Sequence, residues 1–377
     1  MSAHSVLPPS GLHQIIQCPG SVRMQRPYPE TEDSKDAAEG TAAHWAMAEL
    51  MASRPVRVGQ QAANGILLDA DMIEAAEMIV EDVRKTIAPH GLSLGDCATE
   101  VPVEISRVHP LCWGTPDIRV WLKPGLLAVW DLKYGHRFVS AFENPQLLAY
   151  SVGAASQAGL PDDRVQVLNR IVQPRSFHRD GPVREWSYRL HEVRGLINVA
   201  SNAAHEALGT TMEPRTHVGP ACRDCRARLA CPTFLRAAQE ACDIAGGSVP
   251  QDLPPAALGV ELRLVQRAFD LLKWRKEALE EEVAARIRKG ERIAHFRLVN
   301  GSGRQRWAKS DAEVIQLGKL LGINLQAPPS AITPTQALAA GLPAALKESF
   351  VAKGTGATTL EPDDGSEFRK HLYSQVS

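Results

Sequence analysis

Gly114-Thr115-Pro116-Asp117-Ile118-Arg119-Val120-Trp121, followed after a short break by Leu126-Leu127-Ala128-Val129-Trp130-Asp131-Leu132-Lys133, reads as two adjacent strands. Lys123-Pro124-Gly125 between them is turn chemistry, and both flanking runs are rich in Val, Ile, Leu and Trp. Antiparallel pairing across that turn brings Asp117 and Asp131 to the same end of the hairpin. Lys133 follows Asp131 at i+2, and in a strand those positions share a face. Two carboxylates can hold Mg²⁺ or Mn²⁺ through oxygen. An ammonium beside them can orient a water or offset charge on a phosphate. The same residues also describe a surface hairpin with solvated polar ends, so the pattern needs support from elsewhere in the chain.

The surrounding chain allows such a site but does not advertise it. Its 377 residues can bury a full core, with room for one large domain and an addition. The formal net charge is -1, so there is no global basic field. A nucleic acid would have to meet a local basic groove and a metal. No apolar run is long enough to span a bilayer, and residues 1–10 lack the basic start and apolar core of a signal peptide. Seven cysteines, an odd number, then suggest a reducing, cytoplasmic setting. Clustered thiols there are better explained by metal or cluster ligation than by disulfides.

Helices are predicted over 36–52 and 69–88, the latter with Met72, Ala75, Ala76, Ile79, Val80 and Val83 at helical spacing. Residues 97–106 alternate as a strand that carries Glu100 and Glu104. After the hairpin, Asn144-Pro145 opens a helix to Gln157. Strands are expected over 165–172 and 183–188, and a helix over 191–208. This order implies an α/β core with a mixed central sheet flanked by helices. Composition suggests a domain over 1–243, a linker over 244–255 and a mostly helical region over 256–377. A long helix is expected over 256–289, with Leu258, Leu262, Val265, Phe269 and Leu272 as its apolar stripe. Its dense charges of both signs read as a solvated face more readily than as a basic track for DNA. A small hairpin is expected near 293–307, and short helices near 310–322 and 333–352.

Three further features carry chemistry. Glu39-Gly40-Thr41-Ala42-Ala43-His44 puts a glycine inside a helix, where it costs about 1 kcal/mol against alanine. Close approach of a backbone or ligand is one reason to keep it. His44 lies one turn on, on the same face, and can complete a metal site or simply be a core histidine. Gln146 and Tyr150 share a helix face and can both hydrogen-bond to phosphate or to a lysine. Cys222-Arg223-Asp224-Cys225, then Cys231, has ligand spacing, and Cys18 is the natural fourth thiolate. Four cysteinates suit a [4Fe–4S] cluster, with Zn²⁺ as the alternative occupant. Cys97, Cys112 and Cys242 stand apart and read as core or surface thiols.

In this order, the features resemble the RecB-family nucleases of the PD-(D/E)xK superfamily, in the iron–sulfur branch that includes AddB-type and CRISPR-associated RecB-like exonucleases. Within it the chain looks most like an uncharacterised phage and prophage group. The matching pieces are His44 after Gly40, Asp117 after Gly114, Asp131-Leu132-Lys133, Gln146 to Tyr150, and Cys18 with Cys222, Cys225 and Cys231. The resemblance implies a restriction-endonuclease-like core and a metal-dependent DNA exonuclease serving recombination or repair. It implies that Asp117, Asp131, His44 and the Leu132 carbonyl bind Mg²⁺ or Mn²⁺, and that Lys133 positions the attacking water. Gln146 and Tyr150 would hold the DNA strand or orient Lys133, Glu100 would assist through water, and the cysteine cluster would be structural. DNA is the implied partner, and a single-strand annealing recombinase or helicase is a candidate companion. The rival reading is a non-catalytic nucleic-acid-binding subunit stapled by an iron–sulfur cluster or zinc.

Overall fold

The computed structural model describes residues 5–28, 35–246, 248, 250 and 252–298. In chain order its elements are α1 (Leu12–Gln17), α2 (Ser21–Gln25), α3 (Lys35–Met51), α4 (Ala70–Ile87), β1 (Ala98–Thr99), β2 (Val103–Glu104), β3 (Trp113–Gly114), β4 (Ile118–Lys123) and β5 (Leu126–Leu132). These are followed by α5 (Pro145–Gln157), β6 (Gln166–Val172), β7 (Val183–Arg189), α6 (Arg194–Leu208), α7 (Pro232–Ala245) and α8 (Pro255–Arg288). The five-stranded sheet runs β1-β4-β5-β6-β7. β5 and β6 are parallel, and the other neighbours are antiparallel. The architecture is therefore mixed α/β, as the element order predicts.

β4 and β5 form the expected hairpin, with Ile118 opposite Trp130 and Val120 opposite Ala128. The side chains of β5 then alternate between two cores. Leu127 and Val129 join the core that includes Leu147 and Val152 of α5 and Ile197 and Ala204 of α6. Ala128, Trp130 and Leu132 join the core that includes Ala43 and Met47 of α3 and Ile79 and Val83 of α4. A strand covered on both faces reads as a nearly unbroken apolar run. That is why an aspartate inside it stands out. Two helices start as predicted, because each has a side-chain cap: Asp69 accepts from Met72 N at 2.8 Å, and Asn144 accepts from Gln146 N and Leu147 N.

Several expectations need correction. The strand over 97–106 breaks into β1 and β2, which belong to different sheets. Glu100, between them, has φ of +51° and hands its amide to Asp117 O at 3.0 Å. The predicted apolar stripe of the last helix is largely exposed: Leu258, Leu262, Val265 and Phe269 all face out. Ala268, Leu271 and Ala278 are buried instead, the first two in a small core with Cys222, Phe234 and Ala241. The described residues up to Ala285 form one compact unit that runs through the expected linker at 244–255, and a second begins at Arg286. Nearly all of α8 belongs to the first. The predicted strand start at 293 is not one, since 291–298 holds no strand. The rest of that hairpin, the helices near 310–322 and 333–352, and residues 361–377 lie outside the described residues. Among the described residues no helix is long and apolar enough to cross a membrane.

Candidate active site

The pairing of β4 with β5 puts Asp117, just ahead of β4, beside the last residues of β5. Asp117 Oδ2 accepts the Leu132 amide at 2.7 Å. It also lies 3.2 Å from His44 Nε2, delivered by α3 from the other side of the sheet. His44 Nδ1 is 2.8 Å from Gly40 O, one helical turn back. Asp131 projects to the α5 side of β5. Its Oδ1 accepts from Gln146 Nε2 at 2.8 Å and from Lys133 Nζ at 3.2 Å. Lys133 Nζ also donates to Gln146 Oε1 at 3.1 Å. Three elements far apart in sequence thus meet at one end of the sheet.

The electrostatics follow from burial. Asp131 is 2% exposed. Burial pushes its carboxyl up, partly opposed by the Lys133 ammonium. Burial alone would push His44 down, but the Asp117 carboxylate reverses this and raises the imidazole to about 9. Burial would raise Asp117, yet the His44 charge and hydrogen bond hold it below the ordinary range. Burial would likewise lower Lys133, and Asp131 keeps it raised. Glu100 also belongs to this neighbourhood: burial, then repulsion from Asp117, raises its carboxyl.

The residues offer oxygen and imidazole donors suited to Mg²⁺ or Mn²⁺. Asp131 Oδ2 is the observation that favours this. It is buried and accepts no regular hydrogen bond, and its one cationic neighbour is Lys133 Nζ at 2.9 Å. Among the described residues no group of three or more His, Cys, Asp or Glu side chains stands in a ready metal-holding arrangement. Each carboxylate here is instead paired with a cation of the protein.

The Leu132 amide, one bond from the carbonyl expected to bind the metal, donates to Asp117. Tyr150 is only 5% exposed, so it does not lie open to a DNA strand. A Cβ on Gly114 would come within 3.2 Å of its ring and 2.6 Å of Pro9 Cδ, so Tyr150 and Pro9 close over that glycine. Gln146 is the hydrogen-bonding neighbour of the phenol. Among the described residues beyond its own helix backbone, a Cβ at Gly40 would meet nothing within 4 Å. Arg175 was missed by sequence reading. Its guanidinium covers the Tyr134 ring at 4.4 Å and lies 3.4 Å from Glu39 of α3. The available signal was the interleaving of basic and aromatic residues in Arg175-Ser176-Phe177-His178-Arg179.

The four cysteines expected together do converge. Cys18, Cys222, Cys225 and Cys231 line one narrow cavity of about 20 Å³, roofed by Phe234. His217 N donates to Cys18 Sγ at 3.3 Å. Gly20 makes the approach possible: a Cβ there would fall 2.6 Å from Thr216 Cγ2 and 2.9 Å from Arg215 O. Burial pushes the Cys225 thiol up to about 11 and raises Cys18 and Cys222 too, with nearby cysteine charges adding to it. Four soft donors lining one space are the donor set of a thiolate-bound iron–sulfur cluster or zinc, although their sulfurs do not stand in a ready metal-holding arrangement. Cys112 is buried elsewhere and Cys242 is exposed, as befits thiols outside the set.

A solved structure described as "Crystal structure of SSO0001" is similar over 59% of this chain and 84% of its own, at 14% identity and a TM-score of 0.28, a likeness too slight to bear on fold or chemistry. The family described as "Protein of unknown function (DUF2800)" matches residues 4–366, nearly the whole chain. The chain belongs to the DUF2800 family.

Proposed function

We propose that this protein is a metal-dependent DNA exonuclease of the RecB-like type, with a restriction-endonuclease-like core and a structural [4Fe–4S] cluster, acting in recombination or repair. One observation carries the reading. His44 of α3 pairs with Asp117, Asp117 binds the Leu132 amide of the hairpin, and the neighbouring Asp131 and Lys133 bind each other and Gln146 of α5. A solvated hairpin end has no need of a buried carboxylate–ammonium pair.

Asp117, Asp131 and His44 Nε2 are the groups that would hold Mg²⁺ or Mn²⁺, which when bound supplies Lewis-acid polarisation of a phosphate oxygen and an acidified water. His44 already donates through Nδ1 to Gly40 O, which fixes the ring with Nε2 toward the carboxylates. Lys133 would position the attacking water and offset charge that develops on the phosphate. Gln146 holds the lysine and Asp131 in register through its two amide atoms. Cys18, Cys222, Cys225 and Cys231 would hold the cluster away from this chemistry.

The non-catalytic reading has one observation on its side: each carboxylate is already neutralised by a protein cation. Digestion of linear single- and double-stranded DNA with Mn²⁺ separates the two. Wild type should degrade the DNA. Asp131→Asn, isosteric and without a charge to bury, should lose about 10²-fold or more, the scale of removing one transition-state electrostatic contact. DNA left intact by wild type, or an Asp131→Asn rate equal to wild type, overturns the hydrolase reading.

A further inference from the structure

We propose that the loops leaving β5 and β6 form a stacking site for an unpaired DNA strand, with Phe177 as the platform and Arg137, Arg175 and Arg179 as its phosphate contacts. The inference deepens the nuclease reading and rests on it for the identity of the strand. β5 and β6 are parallel, so the loops after Leu132 and Val172 leave the same end of the sheet, where Asp131 and Lys133 sit. They are joined to each other. Gln173 Nε2 donates to Gly135 O and Arg137 O at 2.7 and 2.6 Å. Arg175 can only donate, so His136 Nε2 accepts its hydrogen bond at 2.7 Å, and His136 Nδ1 donates to Arg175 O at 3.0 Å. The Phe138 ring packs on His178 at 4.0 Å, and Arg184 covers that ring at 4.7 Å.

On this braced surface Phe177 is 99% exposed and Phe138 39% exposed. A lone exposed aromatic needs no explanation, but this one is two residues from Arg175, which covers the residue after Lys133. Residues 133–144 and 173–184 carry five Lys and Arg against two acids, on a chain of net charge -1. Arg184 is buried and Lys133 pairs with Asp131, which leaves Arg137 and Arg179 exposed and Arg175 a quarter exposed beside Glu39. That is the local basic ground a polyanion requires. Arg137 pairs with Asp224 at 2.7 Å, and Asp180 lies 3.4 Å from His178 and 3.9 Å from Arg179. Arg137 and Asp224 are 63% and 59% exposed, so a phosphate can compete with this screened pair. The aromatic decides the form of the ligand. A base inside a duplex already has both faces stacked, whereas an unpaired base can use the Phe177 ring.

The test is fluorescence anisotropy with a labelled oligo-dT and a blunt duplex, in EDTA so that nothing is turned over. Phe177→Ala should weaken oligo-dT binding by about 5- to 150-fold, the range of one lost base–aromatic stack. Duplex binding should change less than about 2-fold, and Phe177→Trp should retain the single-strand affinity. Exposure of the side chain makes misfolding of these variants a poor explanation, and circular dichroism checks it. Unchanged oligo-dT affinity, equal loss for duplex, or no single-strand binding by wild type overturns the proposal. Phe177-dependent binding by a protein that never cuts DNA supports the strand site while removing the nuclease reading.

Discussion

Asp131 is an expensive residue to place where it is. A buried carboxylate is tolerated only when its charge is neutralised and its oxygens bonded, and removal of the partner from such a pair typically costs about 3–5 kcal/mol. Gln146 and Lys133 bond one oxygen, and Lys133 pairs with the other at 2.9 Å. Replacing such a buried pair whole by apolar residues is often neutral or stabilising, which is the physical reason to look for chemistry here. A second residue gives a pH signature. Arg215 holds the Glu206 carboxyl down to about 2, through side-chain and backbone hydrogen bonds. Its folded value is thus below its unfolded one. The pair's stabilisation is present above the ordinary glutamate range and is lost as pH falls through that range toward about 2. Thermal unfolding followed from pH 6 to 2.5 should show a steeper acid loss for wild type than for Glu206→Gln, and coincident slopes would refute this.

At the scale of the element, α5 holds the site together. It starts one residue before Gln146, and its Asn144 cap satisfies the amides of Gln146 and Leu147. Its far turns are anchored through Ser151, which donates to the buried Asn169 at 2.9 Å. Asn169 in turn donates to Tyr188 OH at 3.0 Å. Gly153 allows α5 to lie against β2, since a Cβ there would sit 2.8 Å from Glu104 O. Asn144→Ala should therefore cost about 1 kcal/mol of stability, read by urea unfolding, the usual loss for an N-cap. It should also lower the nuclease rate by more than that stability loss predicts, because the first turn carries Gln146. An unchanged midpoint would show that the cap is dispensable.

For the whole molecule, the cysteine cavity ties residue 18 to a segment some two hundred residues later. Closing such a loop costs conformational entropy that sequence-local contacts do not repay. A cluster or metal bound only by the folded chain would add its binding free energy to stability. Anaerobically purified protein should show an absorbance shoulder near ~400 nm if iron–sulfur fills the site. Cys18→Ser should lose bound metal and lower the unfolding temperature, while Cys242→Ser, on an exposed thiol, should do neither. A colourless protein with stoichiometric zinc would replace the cluster by zinc, and equal behaviour of the two variants would remove the metal.

The residue types, their order and the apolar runs on either side of Lys123-Pro124-Gly125 were enough to predict the hairpin, its turn, the helices with caps and the set of side chains worth watching. Local chemistry decides these: Pro-Gly turns, Asp and Asn caps, and a two-residue period. Sequence could not foresee that α8 would bury Ala268 and Leu271 instead of its large apolar stripe, because close packing depends on what lies opposite. Nor could it show that Tyr150 closes over Gly114 while Gln146 reaches Lys133, or that the loops after β5 and β6 brace an exposed Phe177. Those outcomes depend on contacts between residues distant in the chain, and only the folded arrangement selects them.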